Sequence, residues 1–307
     1  MAESLAEKYR PKSFEEVFGN EETIIGLKTV CRRESGPPPA ILLIGPRGCG
    51  KTTLAGIIKN ELKIDDRDFS EYDAANTRGI DTMRDIKKIA QYAPFGGDMK
   101  GFFLDEAHKI TPDGQNALLK LLEKPPANVI FILATTDPQL LVDTVRSRCM
   151  IYEVKLLPNK LIREVLNRIL KAEKVSIPEA AINEICELSE GSPREAIMML
   201  DSIMDIVDDG DLMKAIMTYN SNAATTKALC QALIENRPWK DIAKILQGVN
   251  DEPEKVRQAV LGYCMNILLV VGRDTARAAE VMINFMDSVM YTRKPGLVFA
   301  CFLSCKK

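Results

Sequence analysis

Histidine is almost missing from this chain: there is one among 307 residues, and a single tryptophan. A lone histidine excludes the His-rich ligand sets of catalytic zinc sites. With no C-x-x-C pair among the eight cysteines, zinc-finger spacing is absent as well, so no zinc is expected. The cysteines are scattered at 31, 49, 149, 186, 230, 264, 301 and 305, several inside apolar runs. That pattern reads as small buried hydrophobes in a reducing, cytoplasmic compartment rather than as a disulfide framework. Charge of one sign is lacking too, since 41 basic against 43 acidic residues leave a net charge of −2. The whole chain is therefore no polycation for nucleic acid, although a local basic face stays open. No apolar run reaches the length of a bilayer span, and Met1-Ala2-Glu3-Ser4 starts no signal peptide, so no membrane contact is expected. Internal repeats and low-complexity tracts are absent. What is present is ordinary: 46% hydrophobic and 27% charged residues, in a length suited to two or three compact units.

The first half alternates short β-rich runs with helical stretches. The strand candidates are 40–44, 68–73, 100–104, 129–135 and 150–154; the helix candidates are 21–33, 52–62, 80–91 and 111–123. This alternation predicts a parallel sheet covered on both faces, and the continuous apolar run Val129-Ile130-Phe131-Ile132-Leu133-Ala134 suits a strand buried on both sides. Beyond Leu157-Pro158 the strand signals almost vanish. Leu161, Ile162, Val165, Leu166, Ile169 and Leu170 form one broad apolar helix face. Pro178 sits where a first-turn proline belongs, and Gly191-Ser192-Pro193 breaks the chain and restarts a helix. After Asn220-Ser221-Asn222 the tail reads as four or five helices, broken near Asn236-Arg237-Pro238, 250–253, Gly272 and Lys294-Pro295-Gly296.

Gly45-Pro46-Arg47-Gly48-Cys49-Gly50-Lys51-Thr52 fits G-x-x-x-x-G-K-[ST], the phosphate-binding P-loop. A chain of this length shows that pattern by accident about 1% of the time. The apolar strand candidate before it and the helix candidate after it, opening with Thr53, lower that further. Glycines let backbone N–H groups turn inward around phosphate oxygens, and the following helix presents its N-terminus to the same anion. Lys51 is expected to reach the β- and γ-phosphates of ATP, and the Thr52 hydroxyl to ligate Mg²⁺.

The second motif is Phe102-Phe103-Leu104-Asp105-Glu106, an apolar strand ending in two carboxylates. After a P-loop in an α/β pattern, Asp105 suits support of Mg²⁺ and Glu106 suits orientation of the attacking water. Ala107-His108 completes the spelling of the DEAH helicases. The chain is too short for two RecA-like domains with accessory elements, so His108 reads as a local helix-start residue rather than a coupling element.

These motifs occur within a longer ordered series. Glu7-Lys8-Tyr9-Arg10-Pro11 and Phe14-Glu15-Glu16-Val17-Phe18-Gly19 are followed by Leu104-Asp105-Glu106-Ala107-His108. Then come Asn116-Ala117-Leu118-Leu119-Lys120-Leu121-Leu122-Glu123-Lys124-Pro125-Pro126, Phe131-Ile132-Leu133-Ala134-Thr135-Thr136-Asp137-Pro138, Ser147-Arg148-Cys149 and Glu190-Gly191-Ser192-Pro193-Arg194-Glu195-Ala196. Over about the first 200 residues the chain resembles the AAA+ clamp-loader ATPase subunits: the bacterial DNA polymerase III gamma/tau subunits, replication factor C small subunits and phage clamp-loader subunits. The helical tail matches only in size and helical character.

The resemblance implies an α/β plus all-α architecture. It would comprise a P-loop AAA+ ATPase core with a parallel sheet over 1–156, a helical lid over 157–218 and a C-terminal helical collar over 219–307. It implies that Tyr9, Arg10, Pro11 and Val17 line the adenine end of the pocket. Thr136, with Thr135 as the neighbour that could be confused with it, is implied as sensor 1, Arg194 as sensor 2, and Arg148 as an arginine finger acting on the adjacent subunit's ATP. Positioned cations of this kind stabilise the charge spread over phosphate oxygens during transfer. The implied partners are other clamp-loader subunits in a ring or spiral, a pentamer, together with a sliding clamp and primer–template DNA.

The bacterial gamma/tau subunits carry a four-cysteine zinc module soon after the P-loop helix. Here 59–72 is short and cysteine-free, and the long C-terminal extension of that family is lacking, so a minimal, phage-like or divergent relative is expected. For DNA, relatives use the helix before the Asp-Glu strand, which here contains Arg78, Arg84, Lys87 and Lys88. Such residues would hold phosphates without reading sequence. Asp81 and Asp85 interrupt the basic run, so a solvated, salt-bridged face competes with DNA contact. Two other functions compete with clamp loading: another AAA+ DNA motor for branch migration or recombination, and an ATP-binding scaffold subunit with little turnover. Intact Lys51, Asp105, Glu106 and Arg148 argue against the scaffold.

Overall fold

The computed structural model describes residues 3–305 apart from 78, 207, 209, 213–214, 217–220, 250–251, 270–273 and 291. Two compact units divide at Asp205 and Ile206. The expected boundary at 218/219 and the expected break at Gly272 lie outside the described residues, as does part of the break at 250–253.

Five strands make the sheet of the first unit: β1 (Ala40–Ile44), β2 (Phe69–Asp73), β3 (Lys100–Asp105), β4 (Val129–Thr135) and β5 (Met150–Glu153). Their order is β2-β3-β4-β1-β5, every pairing parallel, with Ala40 opposite Phe131 and Phe102 opposite Phe131 in register. The helices of this unit are α1 (Leu5–Lys8), α2 (Glu21–Cys31), α3 (Lys51–Glu61), α4 (Ile80–Ala90), α5 (Pro112–Glu123), α6 (Asp143–Arg146), α7 (Asn159–Glu173), α8 (Glu179–Leu188) and α9 (Pro193–Ile203).

Because side chains alternate across a strand, each face of the sheet gathers its own core. Leu42, Phe102, Leu104, Phe131 and Leu133 pack on α4 and α5 through Met83, Ile86, Leu118 and Leu122. Ile41, Leu43, Phe103, Ile130 and Ile132 pack on α2 and α3 through Leu27, Val30, Leu54 and Ile58. All seven positions of β4 are buried, the expected signature of a central parallel strand. Phe131 stacks on Phe102 at 5.4 Å between centroids. Each such side chain taken from water contributes about 1.5–3 kcal/mol, which holds the ends of β1, β3 and β4 at one edge of the unit. The functional loops grow from that edge.

The predicted apolar face of α7 is buried at Ile162, Leu166, Ile169 and Leu170 where the helix packs on α8 and α9, whose Ile182, Ile185, Ile197 and Leu200 are buried as well. Ser192 caps α9 by accepting the Glu195 N–H, and Pro193 occupies the first turn, where its missing N–H costs nothing.

The second unit is helical: α10 (Ser221–Ile234), α11 (Trp239–Gly248), α12 (Pro253–Leu269), α13 (Thr275–Asn284) and α14 (Arg293–Leu303). Lys294-Pro295-Gly296 does not break the chain as expected but lies in the first turn of α14, a position that tolerates proline. Leu229, Leu233, Ile242, Leu246, Val260, Val281, Phe285 and Leu297 share one core. Arg257 is buried against it. Its guanidinium donates to Phe285 O at 2.8 Å and to Glu254 at 2.6 Å, while Glu254 accepts the Val289 N–H at 2.8 Å. The ion pair thus fastens the segment after α13. Among the described residues, no helix is long and apolar enough to cross a membrane.

Candidate functional site

The P-loop joins β1 to α3, with its first glycine tied to the sheet by Gly45 N–H donating to Thr135 O at 3.2 Å. Gly48 and Gly50 have φ of +77° and +105°, the left-handed region that a side chain resists. Those two residues turn the loop and start α3 at Lys51. Lys51 is buried, with Nζ donating to Gly45 O and Pro46 O at 2.7 Å each. The ammonium therefore lies across the inside of the loop, while Arg47 is exposed. Cys49 is buried, and that burial pushes its thiol up despite the opposing field of Lys51. It behaves as a packing residue, as do five further buried cysteines; all eight are free thiols.

Thr52 Oγ1 donates to Asp105 Oδ2 at 3.0 Å. Asp105 ends β3, and its other oxygen, Oδ1, accepts the Glu106 N–H at 2.9 Å. Glu106 leaves the strand in a left-handed conformation with φ +50°, a costly choice for a residue with a side chain. A hydroxyl and a carboxylate side by side at the head of a helix are the hard oxygen donors that suit Mg²⁺, so these residues fit the expected metal.

Thr135 and Thr136 differ in what they touch. Thr135 is fully buried; its hydroxyl lies 3.0 Å from His108 Nδ1 and accepts the Asp137 N–H at 3.0 Å. Thr136 is half-buried and donates to Asp137 Oδ2 at 2.9 Å. His108 stands in a single turn of tight helix after β3 and, beyond a helix-start residue, touches both carboxylate-bearing loops. Sequence reasoning missed that role, because contact between residues of different strands has no local signal.

A cavity of about 320 Å³ opens beside the loop, lined on one side by Cys49, Gly50 and Thr53 and on the other by Tyr9, Arg10, Pro11 and Val17. All four residues expected at the adenine end therefore line the same cavity as P-loop residues. Tyr9 donates to Glu173 of α7 at 2.5 Å, as does Lys8 at 2.7 Å. These bonds, Lys8 first, hold the Glu173 carboxyl below its ordinary value, and the same carboxylate raises the Tyr9 phenol. At the head of α9, Ser192 Oγ donates to Gly48 O at 3.4 Å, and a methyl group placed on Gly48 would stand 4.0 Å from Arg194 Cβ.

Arg148 does not line this cavity. Its guanidinium donates to Glu123 at 2.9 Å and to Thr144 O at 2.8 Å on the exposed surface. Arg84 and Lys88 of α4 pair with Asp81 and Asp85 at 3.0 and 3.1 Å, while Lys87 is exposed on the same helix; Arg78 lies outside the described residues. Sequence could not separate exposed apolar residues from core. Tyr92 and Phe95, 69% and 81% exposed, follow α4 on a loop whose Phe95 and Gly96 N–H groups are gripped by the buried carboxylate of Asp68.

Similarity to known proteins follows this geometry. A family model described as DNA polymerase III, delta subunit, matches residues 61–158. The replication factor C small subunit 1 of Pyrobaculum aerophilum is 39% identical over 89% of this chain and 79% of its own length. The chain belongs to the AAA+ clamp-loader subunit family. Another relative, the DNA polymerase III subunit tau of Bacillus subtilis, is 29% identical over 96% of this chain. The chain spans about half of that protein's length, 53%. Among solved structures, the Thermotoga maritima RuvB Holliday junction branch migration motor superposes with a TM-score of 0.63 at 24% identity, over 79% of this chain and 86% of that one. That likeness is one of fold: an AAA+ α/β core with helical domains, as the clamp-loader resemblance implied.

Proposed function

We propose that this clamp-loader family member is an ATPase subunit that couples ATP binding and hydrolysis to opening a sliding clamp and releasing it on primer–template DNA. The observation that carries the reading is the hydrogen bond between Thr52 and Asp105 beside Glu106. It joins the loop that holds phosphates to the strand end that holds the catalytic carboxylate. Binding falls to the P-loop N–H groups, Lys51 and the Tyr9, Arg10, Pro11 and Val17 end of the cavity. Thr52 and Asp105 would hold Mg²⁺, which when bound would supply positive charge to the phosphate oxygens. Glu106 accepts the proton of the water that attacks the γ-phosphorus as its bond to the β–γ bridging oxygen breaks and ADP leaves, and Thr136 orients the γ-phosphate from the end of β4. Arg194 reaches the nucleotide from the head of α9.

Arg148 acts in trans. Its contacts with Glu123 and Thr144, away from its own P-loop, support that role. A charge supplied by a neighbour makes hydrolysis depend on assembly. In this reading 1–156 is the ATPase core, 157–218 the lid and 219–307 the collar of a ring or spiral, a pentamer of clamp-loader subunits. Arg84, Lys87 and Lys88 of α4 contact DNA phosphates, and Arg78, outside the described residues, is assigned the same role by sequence alone.

Steady-state ATPase of the assembly, with and without primed DNA and the candidate clamp, tests the reading. Strong stimulation only when both are present is the expected result. Stimulation by DNA alone indicates a translocating motor, and no turnover in the complete ring despite tight ATP binding indicates a scaffold.

A further inference from the structure

The chain's one histidine bridges the two ends of the site. His108 Nδ1 lies 3.0 Å from Thr135 Oγ1 and 3.4 Å from Glu106 Oε2, and Nε2 lies 3.7 Å from Asp137 Oδ2. The ring is held in place, with its side chain only 10% exposed. Thr135 accepts the Asp137 N–H, and Asp137 accepts the Thr136 hydroxyl at 2.9 Å. One line of polar contacts therefore runs from Glu106 through His108 to Thr135, Asp137 and Thr136. The contacts to Glu106 and Asp137 are longer than a good hydrogen bond, so a small side-chain movement makes or breaks each.

A neutral imidazole has one N–H and one lone pair. With the proton on Nδ1, the ring donates on the side of Glu106 and Thr135 and turns its lone pair to Asp137. With the proton on Nε2, it donates toward Asp137, accepts the Thr135 O–H at Nδ1 and offers Glu106 no donor. The two carboxylates face opposite nitrogens of a single ring, so the hold on one is linked to the state of the other.

We propose that His108 is a positioning residue for Glu106. It holds the carboxylate through Nδ1–H and ties its orientation to the Thr135–Asp137 end of β4, where the γ-phosphate is read. The inference rests on the reading of Glu106 as the base that takes the proton of water. The left-handed backbone of Glu106 strengthens the need for such a hold, since its side chain leaves the strand at a turn rather than on a regular element.

A lone histidine makes the test direct. ¹⁵N-histidine labelling of the full chain yields one imidazole spin system with no assignment step. The expected result is a protonated Nδ1 whose resonances move in Glu106→Gln and on addition of a non-hydrolysable ATP analogue with Mg²⁺. An unprotonated Nδ1, or resonances unmoved by Glu106→Gln, overturns the inference.

Kinetics supply the second arm. Asparagine keeps a nitrogen where Nδ1 stands, whereas glutamine moves it to the place of Nε2. His108→Ala and His108→Gln should lower kcat of the stimulated assembly about 10- to 100-fold, leaving KM and analogue affinity unchanged, and His108→Asn should restore most of the loss. Wild-type kcat in His108→Ala, or a loss confined to KM, overturns it. Should the alanine variant fail to fold, the NMR arm decides alone. A wild-type assembly without turnover sinks the ATPase reading, while the NMR arm still reports the contact between Glu106 and His108.

Discussion

The Thr52 hydroxyl donates to Asp105 across a strand that neither belongs to: Thr52 follows β1, Asp105 ends β3, and β4 runs between them. The 3.0 Å bond thus reports the register of three strands, and it assembles two oxygen donors for a hard cation. Thr52→Ala and Asp105→Asn should each lower turnover about 100-fold and move the Mg²⁺ midpoint to higher concentration. A Mg²⁺ titration of the ATPase checks this; an unchanged midpoint in both variants would remove the pair from the metal site.

Lys51 and Arg148 should separate binding from hydrolysis. Lys51 lies across the loop interior, so Lys51→Ala should abolish binding of a fluorescent ATP analogue. Arg148 contacts Glu123 and Thr144 instead. Arg148→Ala should leave analogue affinity intact and cut stimulated turnover about 1,000-fold. Equal loss of affinity in the two variants would argue against an arginine finger.

Gly48 joins the loop to the head of α9. Its φ is +77°, and an added methyl would stand 2.2 Å from Ser192 Oγ. Gly48→Ala should destabilise the protein by about 1–3 kcal/mol through backbone strain alone and weaken nucleotide binding as Ser192 and Arg194 are pushed away. Thermal denaturation with and without nucleotide measures both; wild-type values would show that the loop and α9 yield freely.

Glu173 bonds Lys8 and Tyr9, two residues that line the cavity, and carries a pH dependence with it. Its carboxyl is held below the ordinary 4.5, first by Lys8 and then by Tyr9. A depressed carboxyl stabilises the fold above its ordinary pKa, and that contribution is lost as pH falls through the folded value. The difference in Tm between the wild type and Glu173→Gln should therefore be constant near neutrality and shrink only in acid. The raised Tyr9 phenol keeps its proton through the neutral range. A difference that grows on acidification would contradict the assignment.

DNA contact by α4 predicts a salt signature. Replacing Arg84, Lys87 and Lys88 together with alanine should reduce the slope of log K against log salt by about 2–3, one increment for each phosphate released. An unchanged slope would mean that pairing with Asp81 and Asp85 is all these side chains do.

The strands and the longer helices of the first unit were legible because their signals are local, whereas the single-turn helices α1 and α6 carry too few residues to show a period. The run from Val129 to Thr135 is apolar at nearly every position and became the central strand, buried throughout. Lys294-Pro295-Gly296 misled in the other direction: proline and glycine mark both a break and a helix's first turn, and only neighbouring contacts choose between them.

The sequence by itself determined the P-loop motif, the Asp-Glu strand end, the alternation that makes a parallel sheet and the family. Each is written in residues adjacent or regularly spaced along the chain. Only the tertiary structure decided that Thr52 bonds Asp105, that Ser192 and Arg194 stand beside Gly48, that Arg148 pairs with Glu123, and that His108 lies between Glu106 and Asp137. Such contacts join side chains far apart in sequence, and their distances follow from strand order and packed cores, which no local pattern encodes.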